Sequence, residues 1–133
     1  MISFNDITPV GYAQYVQIDL GPVIMVIMSG QVAIDKEGNI VGRGNFALQA
    51  ELIFSSIKNI VEKAGGGMDN IVKLNNYLTD MSNLPLFKNV RDKYVNTAQP
   101  PASTTVEVSR FIREDLLLEI EAVAIINKKL GLT

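Results

Sequence analysis

PPASTTVEVS (residues 100–109) and LLLEIEAVAII (residues 116–126) are the two stretches that decide the fold. The first follows a double proline and is rich in β-branched residues, which predicts a strand. The second is almost entirely aliphatic but contains Glu119 and Glu121, two residues apart. Alternate residues of a strand share a face, so both carboxylates should point away from Leu118, Ile120 and Ala122. Such a pair needs water, donors or a ligand; a solvated edge strand and the wall of a cleft both remain open.

The preceding residues predict a simple alternation of strands and helices. Strands are predicted at 15–20, 23–28, 71–78 and in both terminal stretches, and residues 2–4 are a candidate edge strand. Helices are predicted at 46–64, where apolar residues recur at helical spacing, and from Pro85 to about Asn96. Two helices cannot cover both faces of a sheet. We therefore expect a single α+β domain over residues 1–133, with a mixed β-sheet and both helices on one face.

The composition limits the partners of the chain. Hydrophobic residues make up 47% of it, and we expect part of this apolar surface to be buried between identical subunits. No apolar run approaches the roughly 18 residues of a membrane span, and no signal peptide is predicted. The formal net charge of −2 argues against nucleic acid as a partner.

Two residue types with special chemistry are missing, because the chain has no cysteine and no histidine. This excludes a thiolate nucleophile, a Ser-His-Asp triad and an ordinary zinc site. Any catalysis must use carboxylates, lysine, arginine, hydroxyl or backbone groups. A chain without cysteine also suits the reducing cytoplasm, which is the predicted location.

Several motifs along the chain occur in a combination that resembles one family. They are Ser29-Gly30-Gln31 after a hydrophobic strand, Asp69-Asn70-Ile71-Val72-Lys73 after the first helix, Phe87-x-x-x-Arg91-x-x-Tyr94, Pro101-Ala102-Ser103-Thr104-Thr105-Val106-Glu107-Val108 and Glu119-Ile120-Glu121-Ala122-Val123-Ala124. Together they resemble the RidA family, also called YjgF or the L-PSP endoribonuclease-like family, from about residue 9 to 127. The two terminal strands are the most specific part of the resemblance.

The resemblance implies a chorismate-mutase-like fold, assembled as a homotrimer with a barrel-like core and with ligand clefts between adjacent subunits. It also implies hydrolysis of small imine or enamine metabolites, such as 2-aminoacrylate, to 2-keto acids and ammonia. No metal or organic cofactor is implied. Some members are associated with endoribonuclease or translation-inhibitor activity.

The resemblance also assigns roles to individual residues. Glu119 is the catalytic candidate, which would position or activate water; next to an opposite charge it would stay ionised and act as a base. The substrate-binding candidates are Tyr15, Ser29, Gly30, Arg91, Ser103 and Thr105. Thr105 would present its backbone N–H to the ligand. The family's cleft tyrosine falls on Tyr15 by its distance from Ser29 but on Tyr12 by the local Gly-x-Tyr-x-Gln pattern.

The sequence departs from the family pattern at two positions. Imine-hydrolysing members have an arginine where this chain has Ser103, and that arginine grips the substrate carboxylate through two parallel hydrogen bonds. Arg91 stands where the family commonly has asparagine. We hypothesise that Arg91 supplies the cation that position 103 lacks. The alternative is that Arg91 pairs with Glu119 or Glu121, which would leave a site for a different ligand.

Three functions therefore remain after the sequence is read. The first is a deaminase of imines or enamines, and the second is a homotrimer that binds small carboxylate metabolites without turnover. The third is an endoribonuclease, which the acidic charge and the absence of histidine disfavour.

Overall fold

A computed structural model describes residues 1–128 of the chain. The strands are β1 (Ile2–Ile7), β2 (Ala13–Asp19), β3 (Val23–Gln31), β4 (Ile71–Leu78), β5 (Ala102–Glu107) and β6 (Leu118–Asn127). The helices are α1 (Phe46–Lys63) and α2 (Leu84–Tyr94), with short 3₁₀ turns at Met68–Asn70 and Met81–Asn83.

These strands form one mixed sheet in the order β1-β2-β3-β6-β4-β5. Every neighbouring pair is antiparallel except β4–β5, which is parallel. A parallel pair needs a crossover connection; α2 supplies it, so β4, α2 and β5 form a continuous β-α-β unit. The α+β class, the mixed sheet and the two helices on one face are confirmed.

Some boundaries differ from those that the sequence predicts. β1 runs beyond the candidate strand at 2–4, and α2 ends two residues before the predicted Asn96. The third strand continues three residues beyond the predicted Met28, and Ser29-Gly30-Gln31 form its last residues. The pairing of β3 with β6 shifts register between Met28 and Gln31. The glycine thus marks an irregularity just before the end of the strand.

Aromatic side chains fix α2 against α1. The ring centroid of Phe54 lies 5.9 Å from that of Phe87 and 5.5 Å from that of Tyr94. The Tyr94 hydroxyl also donates a hydrogen bond of 2.7 Å to Glu51 Oε2. Arg91 lies one turn before Tyr94, so these contacts determine where its side chain leaves the helix.

The two faces of β6 differ as the sequence predicts. Leu118, Ile120 and Ala122 are buried in the core against α1, while Glu119 and Glu121 are half-buried on the opposite face. The period of two along the strand is therefore confirmed.

The opposite face, which we call the open face, has an apolar centre. Phe4, Val16, Ile27 and Val123 lie side by side across β1, β2, β3 and β6. Phe4 is 63% exposed and Ile27 is 41% exposed. Within the part of the chain that the structure describes, no helix covers this face, and none is long and apolar enough to cross a membrane.

Candidate functional site

Glu119 lies against a gap that Gly30 leaves in the neighbouring strand. A Cβ atom added at Gly30 would lie 2.5 Å from Glu119 Oε2, which is far inside van der Waals contact. The absence of a side chain at Gly30 is therefore what allows the carboxylate to approach the backbone of β3. The sequence predicted that both residues belong to one site, and the structure places them together.

Glu121 is held by a tyrosine of the adjacent strand. Tyr77 pairs with Glu119 across β4 and β6, and its hydroxyl donates a hydrogen bond of 2.5 Å to Glu121 Oε1. This hydrogen bond, followed by burial, raises the pKa of Tyr77 above its ordinary value. The cluster is thus two carboxylates and one phenol on the open face.

Burial raises the pKa of Glu119 above its ordinary value, and the charge of Glu121 raises it further. We expected an opposite charge to keep Glu119 ionised. Within residues 1–128, the charge that acts on it is that of Glu121, which has the same sign. Glu119 therefore takes up a proton more readily than an ordinary glutamate. A residue that both accepts and donates a proton needs such a raised pKa.

Hydrogen bonds at the end of β3 hold the backbone around Gly30. The Ser29 hydroxyl donates to the carbonyl of Ala13 at 2.7 Å. The Gln31 amide donates to Gln14 Oε1 at 3.1 Å and to the Ser29 carbonyl at 2.9 Å. Ser29 is thus close to the predicted site, but its hydroxyl hydrogen is used by the neighbouring strand.

The two candidate tyrosines lie in different environments. Tyr15 is only 6% exposed, pairs with Met28 and packs in the hydrophobic core. Tyr12 is 45% exposed and lines a small hollow of about 200 Å³ together with Gly30 and Gln31. Tyr12 therefore shares a hollow with Gly30, whereas Tyr15 packs in the core against the helices.

Arg91 and Ser103 line one hollow at the edge of the sheet, with a volume of about 520 Å³. The other lining residues are Asp92, Val95, Thr97, Pro100 and Pro101. The Arg91 side chain is 27% exposed, and its Nε donates to Asp92 Oδ1 at 2.9 Å. In the single chain Arg91 therefore pairs with Asp92, and neither Glu119 nor Glu121 is its partner.

Asn76 is a buried polar residue that the sequence reasoning missed. It is 1% exposed, and its Nδ2 lies 2.9 Å from Ser103 Oγ and 3.2 Å from Thr105 Oγ1. Its position between Leu74 and Leu78 was the available signal, because three residues spaced by two share the covered face of a strand. It connects Thr105 to Ser103 beneath the hollow.

The candidate residues thus form two groups in one chain. Glu119 and Gly30 form one group, with Tyr12 in a hollow that Gly30 also lines, and Arg91 and Ser103 line a hollow that does not include Glu119. Among residues 1–128, no group of three or more acidic, histidine or cysteine side chains is placed to hold a metal ion.

Known proteins resemble this chain over a stretch that includes the residues of both groups. The model of the family described as Endoribonuclease L-PSP matches residues 7–126. A RutC family protein of Saccharolobus solfataricus is 38% identical over 117 residues, which are 87% of this chain and 88% of that protein. The crystal structure of RidA from an Antarctic Psychrobacter is 32% identical, with a TM-score of 0.75 over 90% of this chain and 92% of that one. Yeast Mmf1 is 28% identical, with a TM-score of 0.80 over 96% and 100%.

Proposed function

This chain belongs to the endoribonuclease L-PSP family, which includes RidA and YjgF proteins, and on that premise we propose that it hydrolyses small imine or enamine metabolites to 2-keto acids and ammonia. The observation that carries the proposal is that Arg91 and Ser103 line one hollow. The cation is thus beside the position where imine-hydrolysing members have theirs.

The chemistry of Arg91 suits a carboxylate. Its Nε is used by Asp92, and within residues 1–128 its two terminal nitrogens have no hydrogen-bond partner. These nitrogens can form two parallel hydrogen bonds to a carboxylate, which a lysine or a serine cannot do. Asp92 reduces the net charge of the hollow, so a small monoanion suits it better than a polyanion.

Hydrolysis would then need only water and a carboxyl group. Water adds to the imine carbon while Glu119 accepts a proton from the water. Glu119 returns that proton to the nitrogen, which gives a tetrahedral adduct with one hydroxyl and one amino group. Glu119 then accepts the hydroxyl proton and passes it to the amino nitrogen, so the C–N bond breaks, ammonia leaves and the oxygen becomes the keto group. The raised pKa of Glu119 supports this role, because one carboxyl must both accept and donate the proton.

We propose that the two groups meet between subunits of a homotrimer. The Glu119 group lies on the open face, and the Arg91 hollow lies at the sheet edge, so one chain does not bring them together. The uncovered apolar row on the open face supports assembly. Under this proposal each cleft takes Arg91 from one protomer and Glu119 from its neighbour.

The cytoplasmic location also remains a prediction.

The test follows 2-aminoacrylate that a dehydratase generates in situ, with semicarbazide trapping the free imine. Wild-type protein should accelerate the loss of the imine, and Arg91→Ala should lower kcat/KM by about 10- to 100-fold, as expected for a lost charged hydrogen bond. Lys88→Ala is the matched control, because it removes an exposed cation one turn earlier on α2. Equal rates with and without the protein would overturn the proposal.

A second candidate is binding without turnover, which the neutral Ser103 favours because the usual arginine is absent. It predicts that 2-keto acids raise the melting temperature while the imine disappears at its uncatalysed rate.

Incubation with RNA tests the endoribonuclease activity that the family's description names. The absence of histidine leaves that activity without its usual general base.

A further inference from the structure

Asn76 makes an unusual set of contacts for a core residue. Leu74 and Leu78, its neighbours on the covered face of β4, are fully buried, and Asn76 itself is 1% exposed. Its Nδ2 faces three acceptors of β5, which are Ser103 Oγ at 2.9 Å, Thr105 Oγ1 at 3.2 Å and the Thr104 carbonyl at 3.2 Å. Within residues 1–128, its Oδ1 is buried with no hydrogen-bond partner.

The orientation of this amide follows from the chemistry of its partners. A carbonyl oxygen only accepts hydrogen bonds, so the amide nitrogen and not the amide oxygen must face Thr104. An unpaired buried carbonyl costs about 1–3 kcal/mol, and a leucine would avoid that cost. Asn76 is therefore a poor choice for packing alone, and its donors toward β5 are what distinguish it from an apolar residue.

The donated hydrogen bond determines what Ser103 can do. A hydroxyl group has one hydrogen and two acceptor lone pairs. Because Ser103 Oγ accepts a hydrogen from Asn76, its own hydrogen must point away from Asn76. Ser103 is exposed and lines the hollow that contains Arg91. Its hydrogen is therefore available to an acceptor in that hollow.

We infer that Asn76 is a positioning residue that holds the Ser103 hydroxyl as a hydrogen-bond donor to a carboxylate bound beside Arg91. The inference rests on the proposed function, because it assumes that the hollow takes a carboxylate. Ser103 then contributes one oriented donor where the family's arginine contributes two charged ones. The hollow becomes a site for a group that only accepts hydrogen bonds, so a carboxylate should bind better than its carboxamide.

The binding test uses pyruvate as the probe and a double-mutant cycle of Ser103→Ala and Asn76→Leu. In otherwise wild-type protein, Ser103→Ala should raise the Kd for pyruvate about five- to tenfold, as expected for one lost hydrogen bond. In the Asn76→Leu protein the same change should raise it less than about twofold, because the hydroxyl is no longer oriented. Wild-type protein should also prefer pyruvate to pyruvamide, and Asn76→Leu should reduce that preference.

Asn75→Leu is the matched control, since it makes the same change one residue earlier, on the open face of β4. It should leave the effect of Ser103→Ala unchanged. An equal effect of Ser103→Ala in the Asn76→Leu and wild-type proteins would overturn the inference, as would an unchanged preference between pyruvate and pyruvamide.

A measurement without ligand separates this inference from the proposed function. In NMR spectra, the two Nδ2 hydrogens of Asn76 should exchange slowly, and Ser103→Ala should shift at least one of them. If wild-type protein bound no pyruvate, the proposed function would fail, and these spectra would still decide whether Asn76 donates to Ser103. Fast exchange of both hydrogens, or no shift in the Ser103→Ala protein, would overturn the role of Asn76.

Discussion

The two faces of β6 show how one strand serves two purposes. On the covered face, Leu118 and Ile120 are fully buried against the helices of the same chain. On the open face, Glu119 and Glu121 are half-buried, with an apolar row beside them and no cover within residues 1–128. The covered face is completed by its own chain, whereas under the proposed assembly a neighbouring subunit covers the open face. The same ten residues thus contribute to the core on one side and to the proposed cleft on the other.

The largest expected effect comes from a charge on the open face. Ile27→Asp should convert the proposed trimer to monomers, because an unpaired carboxylate buried between subunits costs several kcal/mol. The matched control is Leu48→Asp, on α1, where a residue of similar exposure (46% against 41%) lies on the helix side of the fold. Analytical ultracentrifugation measures the mass. A trimer of Ile27→Asp as stable as the wild type would show that the open face is not the interface.

A smaller effect on stability is expected where Gly30 of β3 lies against Glu119 of β6. Gly30→Ala places a Cβ 2.5 Å from Glu119 Oε2, so the carboxylate or the strand must move, and we expect the free energy of unfolding to fall by about 1–3 kcal/mol. Gly67→Ala is the control, because a Cβ there meets no atom within 4 Å and the backbone is extended. Denaturant titration compares them. Equal stability of both variants would mean that Glu119 does not depend on the gap at Gly30.

The smallest effect concerns the charge on Glu119. A carboxyl whose pKa is raised on folding binds its proton more tightly in the folded state, so folding loses stability as the pH rises through that pKa. Glu119→Gln should therefore be more stable than wild type at pH 7, and the difference should shrink toward pH 4.5, the ordinary value of the carboxyl. Melting temperatures across this range provide the measurement.

The control for this prediction is Glu62→Gln, which changes an exposed acid of α1 and should show no such trend. A Glu119→Gln protein that is less stable than wild type at pH 7 would contradict the prediction. It would indicate that a cation of the neighbouring subunit stabilises the ionised carboxylate in the assembly.

Much of the fold could be predicted from local pattern. The two carboxylates spaced by two predicted their common face, and helical periodicity predicted α1 to within one residue at its C-terminal end. The end of β3 could not be predicted, because Ser29-Gly30-Gln31 has the composition of a turn, and pairing with β6 together with side-chain hydrogen bonds to β2 keeps it extended. Local propensity was overridden there by the neighbouring strand.

The candidate site was less predictable, because its residues meet through register and crossover geometry. Whether Tyr15 or Tyr12 faces the helices depends on the register between β2 and β3. A slip of one residue would exchange the covered and the open face of the strand. The joint change at Arg91 and Ser103 pointed to one location, and the structure places both in one hollow. The two adjacent asparagines of β4 looked equivalent, and only burial distinguishes Asn76 from Asn75.

The β-α-β unit has one more consequence. Arg91 lies on its helix, Ser103 on its second strand and Asn76 on its first, so all three belong to one uninterrupted segment, from Ile71 to Glu107. The two carboxylates of the open face, Glu119 and Glu121, lie outside that segment. Under the proposed function, the residues that hold the ligand carboxylate could therefore be exchanged between relatives as one continuous segment, while the residues that activate water stay in the recipient chain.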